Sequence, residues 1–339
     1  MIRTRPLGST TLRLPEYGFG TGPLGNLYQP MSEEQAQAML ELAWNSGFRY
    51  YDTAPHYGQG LSERRLGDNL RQRRGRGYIL SSKVGRLLKP ATYSYERHGF
   101  YSPMPFDIHY DYSYDGVMRS FEDSLQRLGL ARIDILLMHD IGRATHGAHN
   151  DELFPVAMSG GYRAMRELRD QGRVQAIGLG VNEFEVCEAA LEFGDWDCFL
   201  LAGRYTLLEQ AALDSFLPKC LQRNCSVIIG GPYNSGILAS GTKAGGTLYY
   251  NYAPAPQRVI DKVKQLEALC DRYRFPLAAA ALQFPLAHPA VASVIPGAAN
   301  TKQIAQTLAL INTHIPVDFW RDLRSHGLVH AQAPLPGGL

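Results

Sequence analysis

The chain has 339 residues, with 34 basic and 32 acidic side chains and a net charge of +2. That balance leaves no cationic face for a polyanion and argues against nucleic acid as a partner. Five cysteines, Cys187, Cys198, Cys220, Cys225 and Cys270, form no Cys-x-x-Cys pair and are odd in number, which argues against a structural zinc site and a disulfide framework.

The opening stretch RPLGSTTLRLPEYG reads as a hairpin placed to plug the floor of a barrel. It lacks the apolar core of a signal peptide, and no later run nears the ~20 apolar residues that span a bilayer. A cytoplasmic protein with no membrane partner is expected. Short runs rich in Val, Ile, Leu and Tyr then alternate with helical periodicity. Candidate strands end near Thr21 (EYGFGT), Thr53 (FRYYDT), Val84 (YILSSKV) and His139 (DILLMH). Four more end near Val181 (AIGLGV), Ala202 (CFLLA), Gly230 (SVIIGG) and Gly297 (SVIPG). Between them lie amphipathic stretches such as SEEQAQAMLELAWNSG, with Ser32 as cap, and GYRAMRELRDQG, closed by Gly172. Eight such pairs predict an α/β fold, a (β/α)8 barrel forming one domain over residues 1–339. The basic run RQRRGRG, Arg71 to Gly77, reads as a solvated helix end.

Two stretches are too long for ordinary connections: residues 86–115 after the third strand and 232–256 after the seventh. Barrels build their sites from loops at strand C-termini, so both are candidate pocket walls, with Tyr93, Tyr95, Tyr101, Tyr249 and Tyr250 as candidate stacking residues.

Polar groups fall at the same ends of consecutive strands: Asp52 and Tyr57 after the second, Lys83 in the third and His139 at the fourth. A cation inside an apolar strand needs a partner, and Asp52 is one strand away. A desolvated ammonium beside a phenol favours tyrosinate, and lowering the phenol from ~10 to about 7 takes roughly 4 kcal/mol. Tyr57 is thus expected to exchange a proton near neutrality, with Asp52 holding Lys83 and His139 donating to the substrate oxygen. That set suits interconversion of carbonyls and alcohols beside a hydride carrier.

The motifs DTAPHYGQGLSERRLG, SSKVG, LLMHD, AIGLGVNEF and VIPGAANTKQI, in this order, resemble the aldo-keto reductases over nearly the whole chain. The wording HDIG, GLGVNE and GGPYNSGIL is similar to the branch of bacterial aldose dehydrogenases, of the L-fucose and D-threo-aldose type, and the related pyridoxal 4-dehydrogenase. The resemblance implies a barrel binding NAD or NADP at its C-terminal mouth, with Asp52, Tyr57, Lys83 and His139 as the catalytic tetrad. It implies oxidation of a cyclic hemiacetal to a lactone, the alternatives being general aldehyde or ketone reduction and a nucleotide-sensing subunit with little turnover. The partner is then a small sugar or aldehyde.

The same resemblance implies that Asn182 holds the nicotinamide carboxamide, next to Val181 and Ala202 in place of the usual serine and glutamine. Gly230 stands where an aromatic usually stacks on the ring. Pro232, Asn234, Gly236 and Leu238 match the loop over the pyrophosphate, and Gly20 and Thr21 lie near the cofactor. Ile295, Pro296, Gly297, Thr301 and Gln303 match the ribose end. Gly297 and Gln303 replace the Lys and Arg of NADPH-specific relatives, which favours NAD, with Lys302 the one cation nearby.

Three rival motifs are weaker. GTGPLG, Gly20 to Gly25, has the spacing of a dinucleotide loop, but Pro30 intervenes before any helix. GILASGTK places Thr242 before Lys243, the reverse of a phosphate loop. His139, Asp140, His146 and His149 form a metal-like run, yet no His-x-His follows the first strand, so no metal is expected.

Overall fold

The apolar runs pair side by side as eight parallel strands. They are β1 (Phe19–Gly20), β2 (Tyr50–Asp52), β3 (Ile79–Val84), β4 (Ile135–His139), β5 (Ala176–Val181), β6 (Cys198–Ala202), β7 (Ser226–Gly230) and β8 (Val291–Ile295). In this computed structural model all residues are described except Met1, Arg74, Arg76, Ala244 and Leu339. Two positions of the basic run, Arg74 and Arg76, therefore lie outside the described residues; Arg71 pairs with Asp68 on the surface, as a solvated helix end would.

The strands neighbour one another in chain order. The ring closes where Tyr17 and Gly20 bridge to Val294 and Gly297, with Gly18 N donating to Val294 O at 3.0 Å and Val294 N to Glu16 O at 2.9 Å. Closure removes the unpaired edge that an open sheet would leave. Inside it Tyr50, Ile135, Leu137, Cys198 and Ile228 pack with Leu7, Leu12 and Leu14 of the N-terminal hairpin. That hairpin, Thr4–Pro6 against Arg13–Pro15, plugs the floor as its sequence predicts.

Outside run α1 (Glu33–Asn45), α2 (Leu61–Leu70), α3 (Tyr114–Leu128), α4 (Tyr162–Asp170), α5 (Glu185–Leu191), α6 (Phe216–Gln222), α7 (Gln257–Tyr273), α8 (Leu277–Gln283) and α9 (Thr301–Ile311). Ser32 caps α1, its hydroxyl accepting from Gln35 N while the Gln35 side chain accepts from Ser32 N. The reciprocal partner is Gln35, three residues on, because only that position reaches back to the cap. No described helix is long and apolar enough to cross a membrane.

The long stretches are more ordered than their composition suggests. After β3, Arg86–Pro90 pairs antiparallel with Phe106–Tyr110, and Glu96–Arg97 pairs with Phe100–Tyr101. After β7, a short hairpin joins Tyr249–Tyr250 to Ala253–Pro254. Prolines at the ribbon ends, where no ladder bond is needed, explain why these strands read as loop.

Gly178 in β5 shows how closely the wall is packed: a Cβ there would sit 1.8 Å from the Cys198 carbonyl oxygen of β6. Backbone cannot yield as a flexible side chain does. Gly178→Ala is expected to destabilise the protein by at least about 2 kcal/mol, read as a lowered urea midpoint; an unchanged midpoint would show that the wall relaxes freely.

Candidate active site

Parallel strands present their C-terminal ends at one mouth, and that is where the four polar residues meet. Lys83 projects from β3 and is 2% exposed. Its Nζ donates to Asp52 Oδ2 at 2.8 Å, to the Thr53 carbonyl at 2.9 Å and to Tyr57 Oη at 3.2 Å. Every ammonium proton thus has an acceptor. Asp52 Oδ1 accepts from Ser81 Oγ at 2.7 Å, so the carboxylate is fixed from both sides.

Glycines make this convergence possible. A Cβ on Gly180 of β5 would sit 3.1 Å from Lys83 Cε, so the lysine stem crosses a bare stretch of strand. A Cβ on Gly25 would sit 2.5 Å from the carbonyl carbon of Tyr57, so the loop after β2 lies directly on the loop after β1. The sequence GTGPLG is therefore packing for the tyrosine loop, and its second half is a single 3-10 turn, Gly22–Gly25, with no dinucleotide helix.

Burial opposes the charge on Lys83, but Asp52 and Tyr57 outweigh it and hold its pKa above the ordinary lysine value. Tyr57 differs from the expectation of a phenol tuned to neutrality. Burial raises its pKa above the ordinary phenol value, and the opposing pull of Lys83 does not overcome it. Desolvation of the tyrosinate is the larger effect because the same closed pocket that exposes it to the ammonium also excludes water. The phenol of the free chain is protonated.

His139 is 5% exposed, and burial, with Arg86, Lys83 and His56 nearby, holds its pKa well below the usual histidine range. His56, next to Tyr57, is pushed down to about 2 by burial first and then by Arg86, His98 and Lys83. Both rings are neutral at neutral pH. In each, Nδ1 is buried without a hydrogen-bond partner. An orphaned N–H is the costlier defect, so the proton is assigned to Nε2 in both.

Three residues here escaped the sequence reading, His56, Arg86 and Tyr252, and Asp140 stood there only in the metal-like run. Arg86, 4% exposed, forms an ion pair with Asp140. Asp140 Oδ1 accepts from Asn182 Nδ2 at 3.1 Å, and Tyr252 Oη donates to Asn182 Oδ1 at 3.4 Å. The amide of Asn182 is therefore oriented from both ends. The available signal was position: Arg86 and Asp140 directly follow strand ends, where a polar side chain faces the mouth.

A cavity of about 430 Å³ opens over Tyr57, Lys83 and His139, walled by Tyr28, Phe100 and Tyr252. None of the five tyrosines picked from the long loops lines it. Tyr93 and Tyr95 are exposed and Tyr250 is buried. A larger cavity of about 970 Å³ lies on the hairpin side of the barrel, bordered by Arg3, Arg49 and Gln283, and contains none of the tetrad.

The cofactor positions divide by accessibility. Asn182, Gly20 and Gly236 are partly exposed, and Gly297, Thr301 and Gln303 are exposed. Gly230, Pro232, Ile295 and Pro296 are buried beneath them. Thr21 is fully buried, donating to the Asp52 carbonyl at 2.7 Å, and Asn234 accepts from Thr206 Oγ1 and donates to the Gly203 carbonyl. Leu238 is buried as well. Of these positions Asn182 lines the cavity over Tyr57, and its amide, oriented by Asp140 and Tyr252, has the donor and acceptor that the carboxamide of a nicotinamide would need.

The rival motifs disperse. Among the described residues no cluster of three metal-ligating side chains occurs; His146 Nε2 meets Tyr112 Oη at 2.9 Å and His149 pairs with Glu152 at 3.5 Å. Lys243 pairs with Asp271, and Thr242 with Glu267.

Comparison with known proteins agrees with this geometry. The model of the Aldo/keto reductase family matches residues 16–327. Pyridoxal 4-dehydrogenase of Microbacterium luteolum is 46% identical over 336 residues, 96% of this chain and 97% of the relative. D-threo-aldose 1-dehydrogenase of a Pseudomonas species is 36% identical over 339 residues, 97% and 99% of the two chains. The solved holo structure of aldo-keto reductase AKR11C1 from Bacillus halodurans superposes with a TM-score of 0.73 at 24% identity, covering 98% of each chain, and shares the fold.

Two neutral histidines, His139 buried and His56 half-buried, make stability depend on pH. Each has a folded pKa below its unfolded one, so the unfolded chain binds the extra proton, and stability is full above pH ~6.5 and declines below it. Between pH 6 and 4, His56→Leu is expected to flatten the fall in unfolding free energy by about 1.4 kcal/mol per pH unit. Identical slopes in urea melts of the two proteins would contradict the neutral assignment. Asp52→Asn, which strands the buried ammonium, is expected to cost about 3–5 kcal/mol in the same melts.

Proposed function

The chain belongs to the aldo/keto reductase family, and from that premise we propose that it oxidises a cyclic hemiacetal to its lactone with NAD. The 46% identity to a pyridoxal 4-dehydrogenase makes the internal hemiacetal of pyridoxal the first substrate to test. The 36% identity to a D-threo-aldose 1-dehydrogenase supports aldoses of the L-fucose type as the second. The single observation that carries the reading is the 3.2 Å contact between Lys83 Nζ and Tyr57 Oη, beside the neutral ring of His139.

In the oxidative direction Tyr57 takes the proton of the hemiacetal hydroxyl as the carbon gives up its hydride, and the carbon–oxygen bond becomes the lactone carbonyl. His139 Nε2–H donates to that same oxygen. Lys83 stabilises the tyrosinate that must form first, and Asp52 keeps Lys83 charged and in place. The nicotinamide, when bound, supplies the hydride acceptor. Asn182, fixed by Asp140 and Tyr252, would hold its carboxamide.

Because the free phenol is protonated, the same site in reverse donates a proton to a carbonyl oxygen, which supports aldehyde reduction as the second activity. The preference for NAD rests on Gln303. Its Oε1 accepts from Ala299 N at 2.7 Å, so the side chain caps its own helix, α9, and no guanidinium stands there for a ribose phosphate. Lys302, beside it, is an exposed cation.

Two outcomes are expected. Tyr57→Phe loses about 10²- to 10⁴-fold in the single-turnover rate with pyridoxal or L-fucose while NAD binding, read by fluorescence titration, is kept. In the wild type, single-turnover oxidation rises with pH through neutrality into the alkaline range, because the tyrosinate accepts the proton and burial raises the phenol's pKa. A flat profile from pH 6 to 9 would remove Tyr57 as the proton acceptor.

A further inference from the structure

We propose that His56 is a specificity-determining residue that hydrogen-bonds the substrate hydroxyl nearest the reacting carbon, and so selects hemiacetals that carry a hydroxyl one or two carbons along the skeleton. This deepens the hemiacetal reading and rests on it.

The rings of His56, Tyr57 and His139 stand in a nearly equilateral triangle, with centroids 5.8 Å apart for His56 and His139, 6.2 Å for Tyr57 and His139, and 6.3 Å for His56 and Tyr57. All three line the same cavity. Tyr57 and His139 are both engaged by the oxygen that becomes the carbonyl. His56 is left as the third polar corner, with no part in that step.

Its orientation is set by packing. Phe100 meets it edge to face at 5.2 Å and 85°, and His98 flanks it at 6.0 Å. Nδ1 is buried and unpartnered, so the open edge of the ring is the one carrying Nε2–H. A half-buried donor held edge to face against Phe100 favours a ligand oxygen placed opposite it. Burial first, and then Arg86, His98 and Lys83, keep the ring from taking a second proton, so this donor does not change over the working pH range.

Once the reacting oxygen lies between Tyr57 and His139, the nearest hydroxyl along the substrate skeleton is the next polar group to meet the triangle's third corner. In an aldopyranose it is the 2-hydroxyl, on the carbon bonded to the reacting one. In pyridoxal it is the 3-hydroxyl of the pyridine ring, one carbon further along, because the ring carbon bonded to the reacting one carries no oxygen. The two substrate types have little else in common, and this nearby hydroxyl is the feature by which one pocket would accept both.

The test compares kcat/KM for pyridoxal against 3-deoxypyridoxal, and for L-fucose against 2-deoxy-L-fucose. The wild type is expected to favour the hydroxylated member, and His56→Phe to reduce that ratio by about 10-fold or more. His56→Asn, which retains a donor, recovers part of it. A merely structural role would slow both members together and leave the ratio unmoved, and an unmoved ratio in His56→Phe overturns the proposal. Should the phenylalanine variant not fold, the competitive inhibition constants of the two product lactones on the wild-type enzyme decide the matter: about 10-fold tighter binding of the hydroxylated lactone supports the assignment, and equal binding overturns it. Turnover of none of the four substrates would instead reject the hemiacetal reading, and this inference with it.

Discussion

The buried ion pair of Lys83 and Asp52 is the constraint on which the site depends. An ammonium 2% exposed inside a barrel is tolerable only if every donor is met. Asp52, Thr53 and Tyr57 meet them. Two acceptors come from the end of β2 and the residue after it, and the third from the loop that follows, so satisfying the lysine also fixes the tyrosine. The parallel pairing of β2 and β3, with Asp52 level with Ser81, sets this geometry before any ligand arrives. Gly25 and Gly180 provide the space that side chains would have taken.

The same burial that makes the ion pair effective sets the protonation of its neighbours. Tyr57 and His56 are half-buried and His139 is buried, and the loss of water around the three disfavours tyrosinate and imidazolium alike. Lys83 then acts in opposite directions on the two kinds of group: its positive charge helps the tyrosinate and, together with Arg86, further opposes protonation of the histidines. The result is a pocket with one protonated phenol and two neutral N–H donors, all facing one cavity. Asp140 balances Arg86 and spends its other oxygen on Asn182. Both oxygens of the Asp140 carboxylate are thereby paired.

Much of this was legible in the chain, for reasons that differ by element. Buried parallel strands read as continuous apolar runs, so β3 to β7 matched their expected ends, whereas β8 starts earlier because Val291 and Ala292 continue the buried run upstream of SVIPG. The tetrad was legible because an acid, a phenol, a lysine and a histidine at successive strand ends have few structural uses together. The ribbon after β3 was not legible: Arg86–Pro90 and Phe106–Tyr110 pair across an intervening segment, and no local periodicity reports such a contact. The protonation state of Tyr57 was misjudged for the same reason, since the sequence names the cation but not how much water its neighbours remove. His56 lay within the quoted motif beside Tyr57, and only the positions of Phe100 and His139 in space show that its ring belongs to the cavity.

Throughout, the Lys83 ammonium biases Tyr57 toward tyrosinate against the opposing effect of burial. The direct measurement is an NMR pH titration of the Tyr57 phenol carbon, using ring-labelled tyrosine, in the wild type and in Lys83→Met. The phenol is expected to titrate above the ordinary value in the wild type and higher still in the variant. Coincident titrations in the two proteins, or a lower one in the variant, would contradict that bias.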